Sequence, residues 1–493
     1  MKVTTPEISW HAKEAIFSID VQPKIENQPQ RIATAGLDNN VRVWEYRKGE
    51  IRFLSNLSRH DKAVNIVRFS KSGVYLASAG DDATVILWKL SEKEEAPNIF
   101  DPDDGKNIEV WCAAKILRGH LEDINDLCWS SDDLYIVTGS VDHTAVLWDV
   151  NKGQKMAILS EAKHFVHGVA WDPLGQYVAT LSCDRSLRIY NTQTKKMVHC
   201  INKMMQPTAN QAESEKENKK MQRLFHDESV VRRRLSFSKD GKMLIAPAGC
   251  LQVENEKENL PPQQINTALI FPRGNFSKPV AYLPGLQQPA SIVACSPVFY
   301  KLKKSSSEPS FKLEYRCIFA VASNDTVVMY DTQQVLPFAV ISNIHYASIT
   351  DLSWSSDGLF LVISSRDGFC SLVEFDKNEL GEIFTPPSKE ENTESTESKM
   401  EQTNNQDMAM EVSDVKEKIN DVEMRIESDL KAKEQKEEIP QQSHTPRRVK
   451  LTPVNDNSPS NKAFTEPKTI KPTKPTGKSA PRRIQLTPVT NDT

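Results

Sequence analysis

Three histidines stand 22 residues ahead of an aspartate: His60 before Asp82, His120 before Asp142, and His345 before Asp367. A second spacing overlaps the first. Thr34, Asp38 and Trp44, then Ser78, Asp82 and Trp88, then Thr138, Asp142 and Trp148, then Thr180, Asp184 and Tyr190 each place an aspartate four residues after a hydroxyl and six before an aromatic. A hydroxyl, an imidazole and a carboxylate are the parts of a proton relay. A relay is needed once, however, and this set recurs along the chain, so the spacing predicts a structural role. An aspartate in a tight turn can accept from backbone N–H groups and from a histidine on a neighbouring loop. The hydroxyl and the indole N–H then complete a buried chain that is stable only when every member is paired.

Other chemistry finds no support in the residues. No G-x-S-x-G, P-loop, H-E-x-x-H or dinucleotide fingerprint is present. His164 and His167 are the closely spaced histidines, and with no thiolate or third imidazole near in sequence they read as turn or core residues rather than metal ligands. The 8 cysteines form no C-x-x-C pair and no even spacing, so reduced core thiols are expected. No catalytic residue, metal or cofactor is therefore predicted. No run approaches the ~18 apolar residues of a membrane helix, and MKVTTPEISW lacks a signal peptide's apolar centre. A soluble, intracellular protein with no membrane partner is the expectation.

The elements that must position these residues are short β-strands. TAGLDNNVRVWEY, SAGDDATVILWKL, TGSVDHTAVLWDV and TLSCDRSLRIYNT are β-rich runs ending in an aromatic, with RGH at 118–120 and WD at 148–149 in the fullest copy. They resemble WD40 repeats. One repeat cannot bury both of its faces, so repeats stack radially. Anchors at Trp44, Trp88, Trp148, Tyr190, Phe271, Tyr330 and Val373 predict seven blades, the fifth being the weakest. Polar inserts near 91–107, 205–222 and 254–264 read as surface loops. Lys2 to Ile8 is strand-like with no blade of its own, and it is expected to complete the last blade and hide two edges. The predicted fold is all-β: a seven-bladed WD40 β-propeller over residues 1–384, followed by a disordered C-terminal tail.

The tail differs in composition. Seven of the 8 tryptophans precede residue 172, and beyond Thr385 there is neither tryptophan nor tyrosine. Such a segment buries too little apolar surface to offset its chain entropy. An acidic linker over 385–444 holds 16 acidic and 8 basic residues between Lys389 and Glu438, whereas Thr445 to Pro488 within the basic tail 445–493 holds 10 basic and 2 acidic. Residues 1–388 carry about −3, so bulk charge gives no sign of phosphate neutralisation and any DNA contact is expected to be indirect. Met408, Val412, Val415, Ile419, Val422 and Ile426 make a heptad seam within 408–430 that is either a helix folding against a partner or an accident of an acidic linker.

PRRVKLTPV at 446–454 and PRRIQLTPV at 481–489 match at seven of nine positions. When extended, Val449 and Leu451, or Ile484 and Leu486, share one face, and Thr-Pro ends the strand. The segment suits strand addition to a sheet edge, with the pairs Arg447–Arg448 and Arg482–Arg483 meeting acidic residues at the rim. Nuclear import is the other reading of the basic cluster. Thr445, Thr452, Ser458 and Thr487 are candidate sites for proline-directed kinases, and phosphate on Thr445 would sit beside the arginine pair.

RGHLEDINDLCW, WDPLGQYVATLSCDRSLRIY, FHDESVVRRRLSF, DTQQVLPFAVISNIHYASITDLSWSSDG and the terminal PRRIQLTPV together resemble the family of the middle, WD-repeat subunits of chromatin assembly factor 1 across nearly the whole chain. The resemblance implies a nuclear, non-enzymatic subunit of a histone chaperone complex that deposits newly made core histones of the central tetramer on replicating or repaired DNA. It also implies the complex's large and small subunits as partners. Arg447, Arg448, Val449 and Leu451, and Arg482, Arg483, Ile484 and Leu486, resemble the short B-domain motif that docks on the anti-silencing-factor histone chaperone. The chain departs from the family in keeping two copies in a short tail. The combination also fits the replication-independent WD-repeat histone chaperone, whose larger C-terminal folded region has no counterpart in these 493 residues. Propellers serve as ubiquitin-ligase substrate receptors as well, but no adaptor-docking motif is found here.

Overall fold

A computed structural model describes residues 1–91, 107–205, 221–227, 229–230, 232–253, 263–304 and 309–385. They form seven four-stranded antiparallel sheets and one two-stranded ribbon. Blade one runs Ile16–Val21, Gln30–Gly36, Val41–Arg47, Glu50–Leu57, and blade two Val64–Phe69, Tyr75–Gly80, Thr84–Leu90, Trp111–Arg118. Blade three is Ile124–Trp129, Tyr135–Ser140, Ala145–Asp149, Gln154–Leu159, and blade four Val166–Trp171, Tyr177–Ser182, Ser186–Asn191, Met197–Ile201. Blade five is Ser236–Phe237, Met243–Val253, Gln263–Pro272, Ala281–Tyr282, and blade six Ile292–Lys301, Tyr315–Ala322, Thr326–Asp331, Ala339–Ser342. Blade seven takes Ile349–Trp354, Phe360–Ser365 and Cys370–Glu374 from late in the chain and Lys2–Thr4 from its start. The first strand of each blade neighbours the first strand of the next, and the circle closes where Ile349–Trp354 meets Ile16–Val21. The molecule is a seven-bladed β-propeller.

Two recurring turns set this pattern. Between the second and third strands, an aspartate carboxylate accepts the N–H two residues on, at 3.2 Å from Asn40 to Asp38, 3.1 Å from Thr84 to Asp82 and 2.9 Å from Thr144 to Asp142. The residue between takes a left-handed backbone, with φ of 64° at Asn39, 58° at Ala83 and 67° at His143, and the aspartate offsets that strain. Between the first and second strands, a serine hydroxyl accepts the N–H five residues on, as from Tyr75 to Ser70 and from Tyr135 to Ser130. These two turns define the two faces of the ring. Gly80 cannot carry a side chain here, because a Cβ would lie 2.0 Å from the Ala63 carbonyl oxygen.

A separate apolar cluster fills each gap between blades. At the closing seam Trp10, Ile16 and Trp44 pack on Phe360, Val362 and Leu372. The register there pairs Lys2 with Glu374, Val3 with Val373 and Thr4 with Leu372, so the N-terminal strand stops four residues short of Ile8. The insert near 205–222 also differs from a plain loop. Lys203–Met205 and Met221–Arg223 pair as a ribbon that leads into buried Leu224 and Phe225. Gln263 and Gln264 at the end of another insert belong to a strand of blade five. The acidic linker, the 408–430 seam and both tail motifs lie outside the described residues.

Candidate functional site: the hydrogen-bonded turns and the charged axis

The recurring polar residues assemble within their blades. In blade two His60 places Nδ1 2.7 Å from Asp82 and Nε2 2.7 Å from Ser78 Oγ, which also accepts the Trp88 indole at 2.8 Å. In blade three His120 stands 2.8 Å from Asp142 and 2.7 Å from Thr138, which accepts Trp148 at 2.8 Å. Burial opposes ionisation of Asp82 and Asp142, yet the histidine hydrogen bonds hold both carboxyls below the usual carboxylate range. In blade seven His345 is 3.1 Å from Asp367 and 3.1 Å from Ser371, a hydroxyl on the third strand, because Ile363 stands at the second-strand position where the other blades carry a hydroxyl.

Blade one has the same network through a histidine that the 22-residue spacing missed. His11 lies 2.7 Å from Asp38 and 2.8 Å from Thr34, with Trp44 donating to Thr34 at 2.9 Å. A longer first turn, from Gln22 to Pro29, moves the histidine away from the expected position. Trp10 beside it in WHAKEA was the available signal.

Blade four corrects the expectation for Thr180 and Asp184. The residue 22 before Asp184 is Ala162, which has no imidazole to offer. The Arg188 guanidinium fills the place instead, paired with both oxygens of Asp184 and donating to Ser182 at 2.7 Å. Tyr190 donates to Glu161 at 3.1 Å and also hydrogen-bonds the buried Thr180, the hydroxyl its spacing predicted. The paired arginine holds Asp184 down to about 2 against the opposing effect of burial. His164 and His167 lie with His143 and Phe165 in an aromatic group, and no cluster among the described residues is arranged to hold a metal.

The axis of the ring carries charges that the repeat spacing did not reveal. Asp351 of blade seven is fully buried and accepts Ser18 Oγ at 2.6 Å, the Ile19 N–H at 3.1 Å, Arg68 at 2.7 and 3.0 Å, and Arg234 at 2.6 Å. Arg234 also donates to the Asn65 carbonyl at 3.0 Å and lies 3.5 Å from Asp126, which accepts the Val169 N–H at 2.8 Å. The Arg234 backbone bonds Ser291 and Val293 of blade six. Every blade is therefore tied to this one cluster. Burial raises Asp20 and Asp126, whereas Arg234 and Arg68 overcome burial at Asp351 and hold it well below the carboxylate range.

Arg234 belongs to the run Arg232-Arg233-Arg234, which replaces the apolar start of a normal inner strand and explains why that strand shrinks to Ser236–Phe237. Arg233 turns inward to the carbonyls of His226 and Val230. Arg232 reaches the Phe17 ring of blade one, its guanidinium 5.5 Å from the centroid, and Arg366 lies 6.0 Å from the same centroid. On the opposite face the axis opens into a cavity of about 630 Å³ lined by Asp20, Arg68, Cys128, Ser236 and Ser353 with tryptophan walls. At its wall Ser353 Oγ donates to the Asp20 carboxylate at 2.7 Å.

Arg447, Arg448, Val449, Leu451, Arg482, Arg483, Ile484 and Leu486, and the phosphorylation candidates Thr445, Thr452, Ser458 and Thr487, lie outside the described residues. Comparison with known proteins places the ring in context. The family model described as the CAF1B/HIR1 beta-propeller domain matches residues 1–380. The chain is similar to the CAF1B subunit of chromatin assembly factor 1 from Gallus gallus, 49% identical over 400 residues, covering 77% of this chain and 69% of that one. It is 47% identical over 400 residues to the protein of the same name from Mus musculus, covering 77% and 68%. It is 39% identical over 397 residues to the "Chromatin assembly factor 1 subunit FAS2 homolog" of Oryza sativa subsp. japonica, covering 77% and 74%.

Proposed function

The chain belongs to the CAF1B/HIR1 β-propeller family of chromatin-assembly WD-repeat subunits, and on that premise we propose that it is the non-enzymatic scaffold of a nuclear histone chaperone complex. The complex assembles nucleosomes from newly made core histones of the central tetramer during replication and repair. The ring engages the large subunit and, through the complex, the small subunit. The observation that carries this reading is that likeness to chromatin assembly factor 1 subunits runs through all seven blades rather than through the generic turn residues alone.

The tail supplies the second half of the reading. Two PRR-[VI]-x-L-T-P-V segments on one chain can each add a strand to the anti-silencing-factor chaperone, their arginine pairs meeting acidic residues as they lose water. Holding that chaperone on the chain that also holds the assembly complex makes histone handover intramolecular. Changing Arg447, Arg448, Arg482 and Arg483 to alanine together is expected to abolish capture of the anti-silencing-factor chaperone in a pull-down while the large subunit stays bound. Capture at the native level would overturn the docking role. The family description also covers HIR1 propellers, so replication-independent deposition is the second reading; labelling of new DNA with recovery of the bound chain separates the two.

A further inference from the structure

The sum of about −3 over residues 1–388 conceals a local imbalance on the outer wall of the ring. In blades three and four the third strand, its turn and the fourth strand cover residues 145–159 and 186–201. They hold one carboxylate, Asp149, which is already paired with Lys152 at 3.3 Å. Lys155 and Lys196 on the same stretches are exposed, and neither amine meets a carboxylate among the described residues. Lys115 and Arg118 of blade two extend the group. Lys115 donates to the Val150 carbonyl of blade three at 2.7 Å, and Lys155 reaches back to the Gly119 carbonyl beside Arg118 at 3.1 Å. Past blade four, the ribbon sets Lys203 directly opposite Arg223, both exposed. Like charges facing each other across two strands repel, and a bound anion relieves that repulsion.

Acids near in sequence do not cancel these charges. Glu161 accepts Tyr190 at 3.1 Å, and the acidic insert near 91–107 belongs to the connection from Leu90 to Trp111, at the end of that strand opposite Arg118. Lysine also guards sheet edges against pairing, but a guard is needed on every blade. The fourth strand Ala339–Ser342 of blade six has no lysine, and Glu50–Leu57 of blade one sets Glu50 beside Arg52. The composition selects the anion. Protein interfaces favour arginine and aromatic side chains and are depleted in lysine, whereas lysine predominates here. The exposed apolar side chains on the same strands, Ile116 at 45%, Ile158 at 54% and Val198 at 48%, are aliphatic and give single-stranded bases nothing to stack on. Lysine amines act as point charges toward phosphate, and such contacts hold a duplex without reading its bases. We propose that the outer wall of blades two to four, with its ribbon, binds the phosphate backbone of duplex DNA. This surface is separate from the tail motifs and does not depend on the histone-carrier reading.

The test is photo-crosslinking of the full chain to a mixed-sequence DNA duplex carrying benzophenone on its phosphates, mapped by mass spectrometry. Crosslinks are expected on fragments holding Arg118, Lys155 and Lys203, besides any on the basic tail. With Lys155→Gln, Lys196→Gln and Lys203→Gln combined, the wall crosslinks should fall by about tenfold while those of the tail persist. All three side chains are exposed, so the fold is kept. Should the combined chain melt early, Arg223→Gln is the second variant: it relieves the like-charge pair, so ribbon crosslinks should fall with no loss of melting temperature. Arg52→Gln on the outer strand of blade one should change nothing. Crosslinks confined to the tail, or wall crosslinks unchanged in the combined variant and in Arg223→Gln, would overturn the proposal. So would wall labelling by a Glu-rich peptide or a single-stranded oligonucleotide equal to that by the duplex.

Discussion

At Asp184 an arginine does what an imidazole does at Asp82 and Asp142, and the exchange has consequences for pH. Against the opposing effect of burial, the Asp184 hydrogen bond raises the Arg188 guanidinium, so that pair stays charged. His167, in the same blade, is held down to about 4 by burial and by Arg233, Arg232 and His164. The unfolded chain takes up that proton near pH 6.5, so between about 6.5 and 4 the unfolded state binds more protons. Its contribution is present above pH 6.5, is lost as pH falls to about 4, and is flat below. His11, lowered by burial, acts in the same direction. His167→Gln should therefore lose less stability than the native chain between pH 7 and 4.5, by about 2 kcal/mol in urea unfolding. Identical pH profiles would show that His167 titrates normally. Asp82, Asp184 and Asp367, held low by their partners, add their losses only below about pH 4.

At the level of strands, the fourth strand of blade seven is held by three residue pairs between Lys2–Thr4 and Cys370–Glu374, beside the apolar seam where blades seven and one meet. Removing residues 1–9 bares that edge and opens the cluster under Trp10, and calorimetry is expected to show a fall in melting temperature of at least about 5 °C. An unchanged transition would mean that blade seven stands without its fourth strand. Blades one to four could be read from the primary structure because Asp and an aromatic six residues later report a turn and a strand, both local features, whereas Phe271, Tyr330 and Val373 kept only part of that spacing. Blade five was weak for a physical reason: its inner strand gives way to three arginines whose partners lie on other blades. The axial cluster was hidden for the same reason. Ser18 and Asp351 touch across 333 residues, a distance that no spacing rule spans. The His11 position was lost to a longer turn, and Thr180 and Asp184 kept their spacing while Ala162 removed their histidine.

For the whole molecule, the proposed function divides the work between the ring and the charged tail. All seven blades converge on Asp351 and Arg234, and breaking a buried pair of this kind costs about 3–5 kcal/mol because it strands the surviving charge. On the proposed reading the ring is a platform whose surfaces hold fixed positions, and the tail motifs would extend its reach to a histone carrier. The most direct test of that division is affinity purification from S-phase nuclei with mass spectrometry, using the full chain and a chain lacking residues 440–493. The full chain is expected to recover the large subunit, the small subunit and the anti-silencing-factor chaperone, and the shortened chain to lose only the last. Recovery of that chaperone at an undiminished level without residues 440–493, or absence of the assembly-factor subunits from both samples, would contradict the account.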